Sequence, residues 1–220
     1  MDFTTAAQLL ALCQEGSVTL GEAMLRREMD LTGASREEIM ARLERSLEIM
    51  EQAAAAALAA PQKTMGGLIG GEAIALEARR EAGKAVCGPL LARSAAIAMG
   101  TLEVNASMGL IVAAPTAGSC GVLPGALLGQ AEAFGFKREA LLEGLLTASA
   151  VGYLIARNAT IAGAEGGCQA EVGTASAMAA AAIAGLHGGS PEQCLWAAGT
   201  ALVNLMGLVC DPIGGLVESP

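Results

Sequence analysis

The sequence predicts an all-α fold, and its composition gives three reasons. Alanine runs at 53–57 and 179–182 are strong helix formers. Aromatic residues make up only 2% of the chain and β-branched residues are sparse, so few strands are expected. Glycine supplies 29 of the 220 residues, although 53% of the chain is hydrophobic. We therefore expect a core of helices that pack closely through alanine and glycine.

The length favours one helical domain, residues 1–220, with two parts of different character. Residues 1–60 are amphipathic and charged, with apolar residues at helical spacing, which predicts a helical lead-in. In residues 61–220 charges become rare and glycines occur in pairs, so the functional site is expected there.

Two serines in the lead-in are expected at helix ends. Ser17 and Ser35 both stand next to apolar helical patterns. Glu38 follows Ser35 by three residues, which is the spacing of a capping box.

The charge balance excludes one class of partner. The chain carries 22 acidic and 13 basic residues, a formal charge of −9, whereas nucleic-acid binding needs clustered Lys and Arg. The amino terminus carries Asp2 and no basic segment, so it does not resemble a secretory signal, and a cytoplasmic location is expected. Six cysteines without regular spacing then indicate thiols or metal ligands more than disulfides.

Two uncharged stretches, 104–131 and 172–191, are long enough to cross a bilayer, for which about 20 residues suffice. The first contains Pro115, Pro124 and several glycines. The second consists mostly of Ala and Gly and has neither flanking basic residues nor aromatic belts. Both are therefore expected to be buried helices, and a membrane-spanning protein is not expected.

Three segments place Gly, Pro and polar residues between helix-forming runs, namely 105–125, 158–173 and 206–220. Such interruptions are typical of loops that contact a ligand. The chemistry of the protein is therefore expected in these segments.

Two cysteines lie in these segments. Cys168 follows Gly166 and Gly167, which leave room for a bulky group beside the sulfur, although a buried thiol is the alternative. Cys210 precedes Asp211, where it is expected at a helix end, either as an exposed thiol or as a simple terminus. Their separation of 42 residues matches neither zinc-site pairs nor ferredoxin spacing, so spacing alone does not predict a cluster.

The remaining cysteines and the one histidine have weaker signals. Cys120 lies in a glycine-rich stretch and is a third candidate ligand. Cys13, Cys87 and Cys194 are expected in the core. His187 follows an alanine-rich helix, where it is expected to cap the carboxyl end, with a general base as the alternative.

The glycine-rich stretch 116–125 can bind an anion through backbone N–H groups, but it matches neither a Walker loop nor a Rossmann fingerprint. A pyridoxal-phosphate enzyme would need a Schiff-base lysine. The chain has only Lys63, Lys84 and Lys137, of which Lys63 has a loop-like setting.

Together these segments resemble a known family. The blocks EGGCQAEVG at 165–173 and LVCDPIGGLVESP at 208–220 resemble the alpha subunit of bacterial iron-sulfur-dependent L-serine dehydratase, also called L-serine deaminase. The resemblance extends from the amino terminus to Pro220 and concerns the form in which alpha and beta parts are separate chains. It implies an all-helical domain that holds a 4Fe-4S cluster through three cysteines, with one iron open to substrate.

The matched blocks assign two metal ligands to this chain, Cys168 and Cys210. In the family the second block continues with Pro-Cys, so the third ligand is expected directly after Pro220. On its own, this chain is therefore expected to be isolated without the cluster and to be inactive. Cys120 is not expected to be a ligand.

The resemblance also implies the reaction. The open iron acts as a Lewis acid on the hydroxyl oxygen of L-serine, a base removes the α-proton, and the aminoacrylate then hydrolyses to pyruvate and ammonia. The catalytic base is not identified, and the separate beta chain can supply it. The implied partners are L-serine, the beta subunit and further copies in an oligomer.

Polar side chains in the family blocks are candidates for substrate binding. They are Asn105, Ser107, Thr116, Ser119, Asn158 and Thr160. Glu165 and Glu171 can attract the ammonium group or orient ligands. Each of these side chains can instead cap a helix or satisfy buried backbone. The alternatives to the dehydratase are a pyridoxal-phosphate-dependent deaminase and a non-enzymatic helical scaffold or membrane module.

Overall fold

The computed structural model describes residues 2–207, and within that range it contains nine α-helices and no strand. The helices are α1 (Ala6–Gly16), α2 (Leu20–Thr32), α3 (Arg36–Ala59), α4 (Glu72–Glu81), α5 (Gly88–Ala106), α6 (Val122–Phe134), α7 (Arg138–Asn158), α8 (Gly163–Leu186) and α9 (Pro191–Leu205). The prediction of an all-α fold is confirmed.

The lead-in helices begin at hydroxyl residues. Ser35 caps the amino end of α3, and Glu38 completes the capping box, as predicted. Ser17 also lies at a helix end, but as the left-handed C-cap of α1, with φ 49°. The next helix, α2, takes its N-cap from Thr19, whose hydroxyl accepts the N–H of Glu22.

Glycines bring α5 and α6 close together. A Cβ at Gly121 would overlap the carbonyl oxygen of Ala98, and one at Gly125 would lie 2.6 Å from the carbonyl oxygen of Ser94. Only glycine allows backbones to approach this closely. On another side of α5, a Cβ at Gly100 would lie 2.7 Å from that of Ala57 in α3. Packing through alanine and glycine is therefore confirmed.

Helices α8 and α9 form an antiparallel pair. Near the turn, a Cβ at Gly185 would lie 3.6 Å from Cys194 Sγ, and near the open end a Cβ at Gly173 would lie 3.9 Å from Leu202 Cδ2. The outer face of α9 is apolar and exposed, with Trp196 63%, Val203 69% and Met206 77% accessible.

The main core cluster extends from Phe3 to Ala198 and draws on both parts of the chain. Cys13 and Cys194 belong to it, as predicted. The same prediction for Cys87 is wrong, because this residue is exposed at the surface where α5 begins.

Among the described residues one helix, α7, is long and apolar enough to cross a membrane by length and composition. Of its most apolar stretch, 61% is buried inside the protein, as in the core helix of a globular domain. The uncharged stretches 104–131 and 172–191 instead form the end of α5, the following loop with α6, and most of α8.

Candidate functional site

A break in α8 determines the position of Cys168. Gly167 has φ 72° and ψ 179°, which interrupts the helix and is a conformation that favours glycine. Cys168 is the first residue of the helical segment that follows, and its side chain is buried at 8% exposure. A helix amino terminus stabilises negative charge, including that of a thiolate ligand. The sequence predicts a loop over 158–173. The structure instead has a helix from Gly163 onward, interrupted only by this break.

Glu171 lies where two of the predicted segments meet. A Cβ on Gly118 would be 3.0 Å from Glu171 Oε2, and one on Gly163 would be 2.6 Å from the same oxygen. The carboxylate therefore occupies a notch that exists because both glycines lack side chains. Glu171 follows Cys168 by three residues, so the two share one face of α8.

The loop between α5 and α6 is held by three of the predicted substrate-binding residues. Asn105 Nδ2 donates to the carbonyl oxygen of Ala117 at 3.2 Å. Thr116 Oγ1 and Ser119 Oγ lie 3.2 Å apart, and Ser119 Oγ donates to the carbonyl oxygen of Ala114. Ser119 is only 1% exposed. These contacts shape the loop that presents Gly118 to Glu171.

Thr160 lies beside the glycine pair that precedes Cys168. Its hydroxyl donates to Glu165 Oε2 at 2.7 Å. A Cβ on Gly166 would be 3.0 Å from Thr160 Cγ2. Thr160 and Glu165 thus form one polar pair next to the break in α8.

The last two predicted substrate-binding residues make contacts within helix ends. Ser107 Oγ donates to the carbonyl oxygen of Glu103 at 2.8 Å. Asn158 Nδ2 donates to the carbonyl oxygens of Thr4 and Leu154, both at 2.8 Å, and ties the end of α7 to the amino-terminal segment. A substrate role for all six residues stays a prediction.

The structure describes two of the three candidate cysteines, Cys120 and Cys168. Cys120 is fully buried, and burial raises the pKa of its thiol to about 11. Cys210 lies outside the described residues. Within residues 2–207 no three His, Cys, Asp or Glu side chains are grouped to hold a metal ion.

His187 ends α8 as its C-cap, as predicted. Its Nε2 lies 3.0 Å from Gln130 Oε1, and Phe134 and Phe136 meet the imidazole ring edge-on at centroid distances of 4.8 and 5.1 Å. These contacts favour a structural role over that of a general base.

Glu103 is a residue that the sequence analysis missed. It is 1% exposed, and its Oε1 accepts the backbone N–H of Ala73 at 2.9 Å. Its Oε2 is buried and has no hydrogen-bond partner among the described residues. One signal was available, since Glu103 is the one charged residue between positions 94 and 131.

The serine dehydratase alpha chain family matches this chain over residues 15–220. The chain belongs to the serine dehydratase alpha chain family. The resemblance drawn from the two cysteine-containing blocks is therefore confirmed, and so is the expectation of an enzyme.

The chain is similar to L-serine dehydratases that differ in length. A probable L-serine dehydratase alpha chain of Bacillus subtilis is 44% identical over 99% of this chain and 72% of its own length. The L-serine dehydratase alpha chain of Peptoniphilus asaccharolyticus is 43% identical over 98% of this chain and 74% of its own. An L-serine dehydratase of Helicobacter pylori is 35% identical over the whole chain but only 49% of its own length.

Proposed function

We propose that this chain is the catalytic subunit of an L-serine dehydratase, which converts L-serine to pyruvate and ammonia with a 4Fe-4S cluster held in part by Cys168 and Cys210. Family membership supports the reaction. The observation that carries the metal site is the break at Gly167, which places Cys168 at a helix amino terminus beside the glycine-lined notch of Glu171.

The pairing of α8 with α9 supports Cys210 as a second ligand. The Gly173–Leu202 contact fixes the register of the pair. Five residues lead from Gly173 back to Cys168, a helical rise of about 7.5 Å, and three lead from Leu202 to the end of α9 at Leu205, a rise of about 4.5 Å. The end of α9 therefore lies near the level of Cys168. Five further residues, about 17 Å at full extension, are enough for Cys210 to reach it.

The proposed third ligand is the cysteine that the family resemblance implies after Pro220. When bound, the cluster supplies an iron with an open position, which acts as a Lewis acid on the substrate hydroxyl. The residues of this chain provide the surroundings. The amino end of the second α8 segment favours the thiolate of Cys168, and Glu165 and Glu171 favour a substrate ammonium group.

The proposed enzyme also contains a companion beta chain and acts in the cytoplasm. The names of the relatives as alpha chains, together with the double length of the Helicobacter pylori protein, support a second polypeptide part. We propose that this part supplies the base for the α-proton.

The test uses the complete two-chain enzyme, purified without oxygen. Cys168→Ser and Cys210→Ser are each expected to abolish the cluster absorption and serine turnover, since a cluster is held by specific thiolates. Cys120→Ala is the matched control and is expected to keep most of both.

Bleaching by Cys120→Ala, with an intact cluster in Cys168→Ser, would overturn the ligand assignment. A yellow protein with the absorption of a lysine aldimine would instead favour a pyridoxal-phosphate enzyme, and Lys63→Ala would then be the variant to examine.

A further inference from the structure

We propose that Glu103 is a positioning residue of the substrate site, because it fastens segment 64–71 against the end of α5 that carries Asn105 and Ser107. The segment then forms one wall of the site. This inference rests on the proposed function and adds an element that the family blocks did not include.

Glu103 acts as an N-cap from another helix. Helix α4 follows Gly71, which has φ 143° and provides no side-chain cap. The missing acceptor is Glu103 Oε1, which accepts the N–H of Ala73 in the first turn of α4 from 30 residues away in sequence. A carboxylate at this end of a helix also suits the helix dipole.

Segment 64–71, which precedes α4, is held by one hydrogen bond within the segment and by another to α5. Thr64 Oγ1 donates to the carbonyl oxygen of Ile69 at 2.6 Å. The N–H of Met65 donates to the carbonyl oxygen of Ala106 at 3.0 Å. Because Ala106 stands between Asn105 and Ser107, a shift of this segment would directly disturb the candidate substrate residues.

A second carboxylate strengthens the same junction. Glu72 Oε2 accepts the N–H of Gly70 at 2.7 Å. The backbone N–H of Gly70 lowers the pKa of Glu72. Glu72 therefore stays ionised at neutral pH and keeps Gly70 in place beside the buried Glu103.

The position of Glu103 is costly for a purely structural cap. A buried carboxyl group loses its hydration. A serine or threonine cap is excluded at Gly71, because φ 143° is strained for any residue with a side chain, so the acceptor for α4 has to come from elsewhere. Glu103 is nevertheless 1% exposed in a stretch that has no other charge from 94 to 131. We attribute this cost to the need for a precise position of segment 64–71.

The segment offers chemistry that suits a substrate carboxylate. Lys63 is exposed at its start. The backbone at Gly67 has φ 69°, and a Cβ added there would have no atom within 4 Å, so this part of the segment is open. An ammonium group is suited to binding a carboxylate, and the open space at Gly67 leaves room for one.

The first test measures amide hydrogen exchange in the two-chain enzyme, a readout that needs no serine turnover. In Glu103→Ala the amides of Met65 and Ala73 are expected to exchange about tenfold faster or more, as for the loss of a hydrogen bond to a charged group. Glu103→Gln keeps an oxygen acceptor and is expected to exchange like the unaltered chain.

Thr101→Val is the matched control. Thr101 is also 1% exposed on α5, but its hydroxyl donates to Ile97 within the same helix. This variant is expected to lower stability without changing exchange in segment 64–71. If Glu103→Ala does not fold, Glu103→Asp keeps the carboxyl group but shortens the side chain, and it should show the same faster exchange.

The second test measures serine turnover by the two-chain enzyme. Glu103→Ala is expected to raise KM about tenfold with kcat within about threefold, whereas Glu103→Gln and Thr101→Val keep the KM of the unaltered enzyme. If Glu103→Ala lowers Tm but leaves both exchange and KM unchanged, the positioning role is wrong. An unaltered enzyme that does not turn over serine would instead overturn the proposed function, while the exchange test would still decide the contact.

Discussion

Two groups of helices differ in how they begin. Helices α1, α2, α3 and α9 start at a threonine or serine whose hydroxyl accepts a backbone N–H of the first turn. Helices α4 to α8 have no side-chain cap from their own N-cap residue. The candidate site is built around helices of the second group. Their first turns are open to partners from elsewhere in the fold, as Glu103 shows for α4.

The two groups also differ in how closely their helices approach. In the lead-in, Glu22 pairs with Arg26 and Arg36, and Arg138 of α7 reaches Glu44 and Glu51 of α3. At the α5–α6 contact Arg93 likewise pairs with Glu132, but glycine also faces backbone directly. Charged pairs on a surface tolerate change, whereas close backbone contacts do not. The site-bearing part is therefore expected to be the less tolerant of substitution.

The largest expected effect is at Gly121. Gly121→Ala would place a Cβ against the carbonyl oxygen of Ala98, and backbone cannot move aside as a flexible side chain can. We expect the free energy of unfolding to fall by about 3 kcal/mol, measured by urea denaturation.

Gly199→Ala is the control for this prediction, because no atom lies within 4 Å of a Cβ at this position on α9. Here alanine should stabilise the protein by about 0.5–1 kcal/mol. Equal effects of the two substitutions would show that close backbone packing does not distinguish the two groups.

A smaller effect is expected at the caps. Ser35→Ala removes the hydroxyl that accepts the N–H of Glu38 and should cost about 1 kcal/mol of stability. Lys137→Ser makes the opposite change, because Lys137 is the N-cap of α7, has extended geometry and provides no side-chain cap. A serine there should raise the free energy of unfolding by about 0.5 kcal/mol. Thermal or urea unfolding of both variants measures the difference, and a loss in Lys137→Ser would contradict it.

The smallest effect concerns Glu143, where the two groups meet. Burial raises the pKa of Glu143 above its usual 4.5. The hydrogen bond that Thr19 donates to Glu143 lowers this pKa, but by less. A raised pKa in the folded state adds stability below pH 4.5 and loses it as the pH rises through the folded value. Glu143→Gln should therefore be more stable than the unaltered chain at pH 7, by less than about 1 kcal/mol, and not at pH 4. A gain that is the same at both pH values would contradict this explanation.

Local signals predicted much of the fold. The capping box at Ser35 and Glu38 lies within four residues of sequence, and the alanine runs carry their helix preference in their composition. The burial of Cys13 and Cys194 followed from their apolar surroundings. Cys87 also follows apolar residues, Ala85 and Val86, but the start of α5 lies at the surface, which made that prediction wrong.

The site was harder to predict because its contacts join distant positions. Glu171 meets Gly118 across 53 residues of sequence, and Glu103 caps a helix that begins 31 residues before it. Neither pairing leaves a periodic signal. The break at Gly167 within α8 was likewise mistaken for a loop, because a glycine pair is typical of both. The metal ligands and the six substrate-binding residues stay predictions.

The exposed indole of Trp196 gives this protein an internal optical reporter. It is the one tryptophan in the chain, and it stands about 15 Å along α9 from the residues that lead toward Cys210. A visible-light-absorbing cluster at that end would quench its fluorescence by energy transfer. A polypeptide that covers α9 would shift its emission to shorter wavelength. The fluorescence of Trp196 would therefore distinguish the proposed cluster insertion from the proposed subunit assembly without a label.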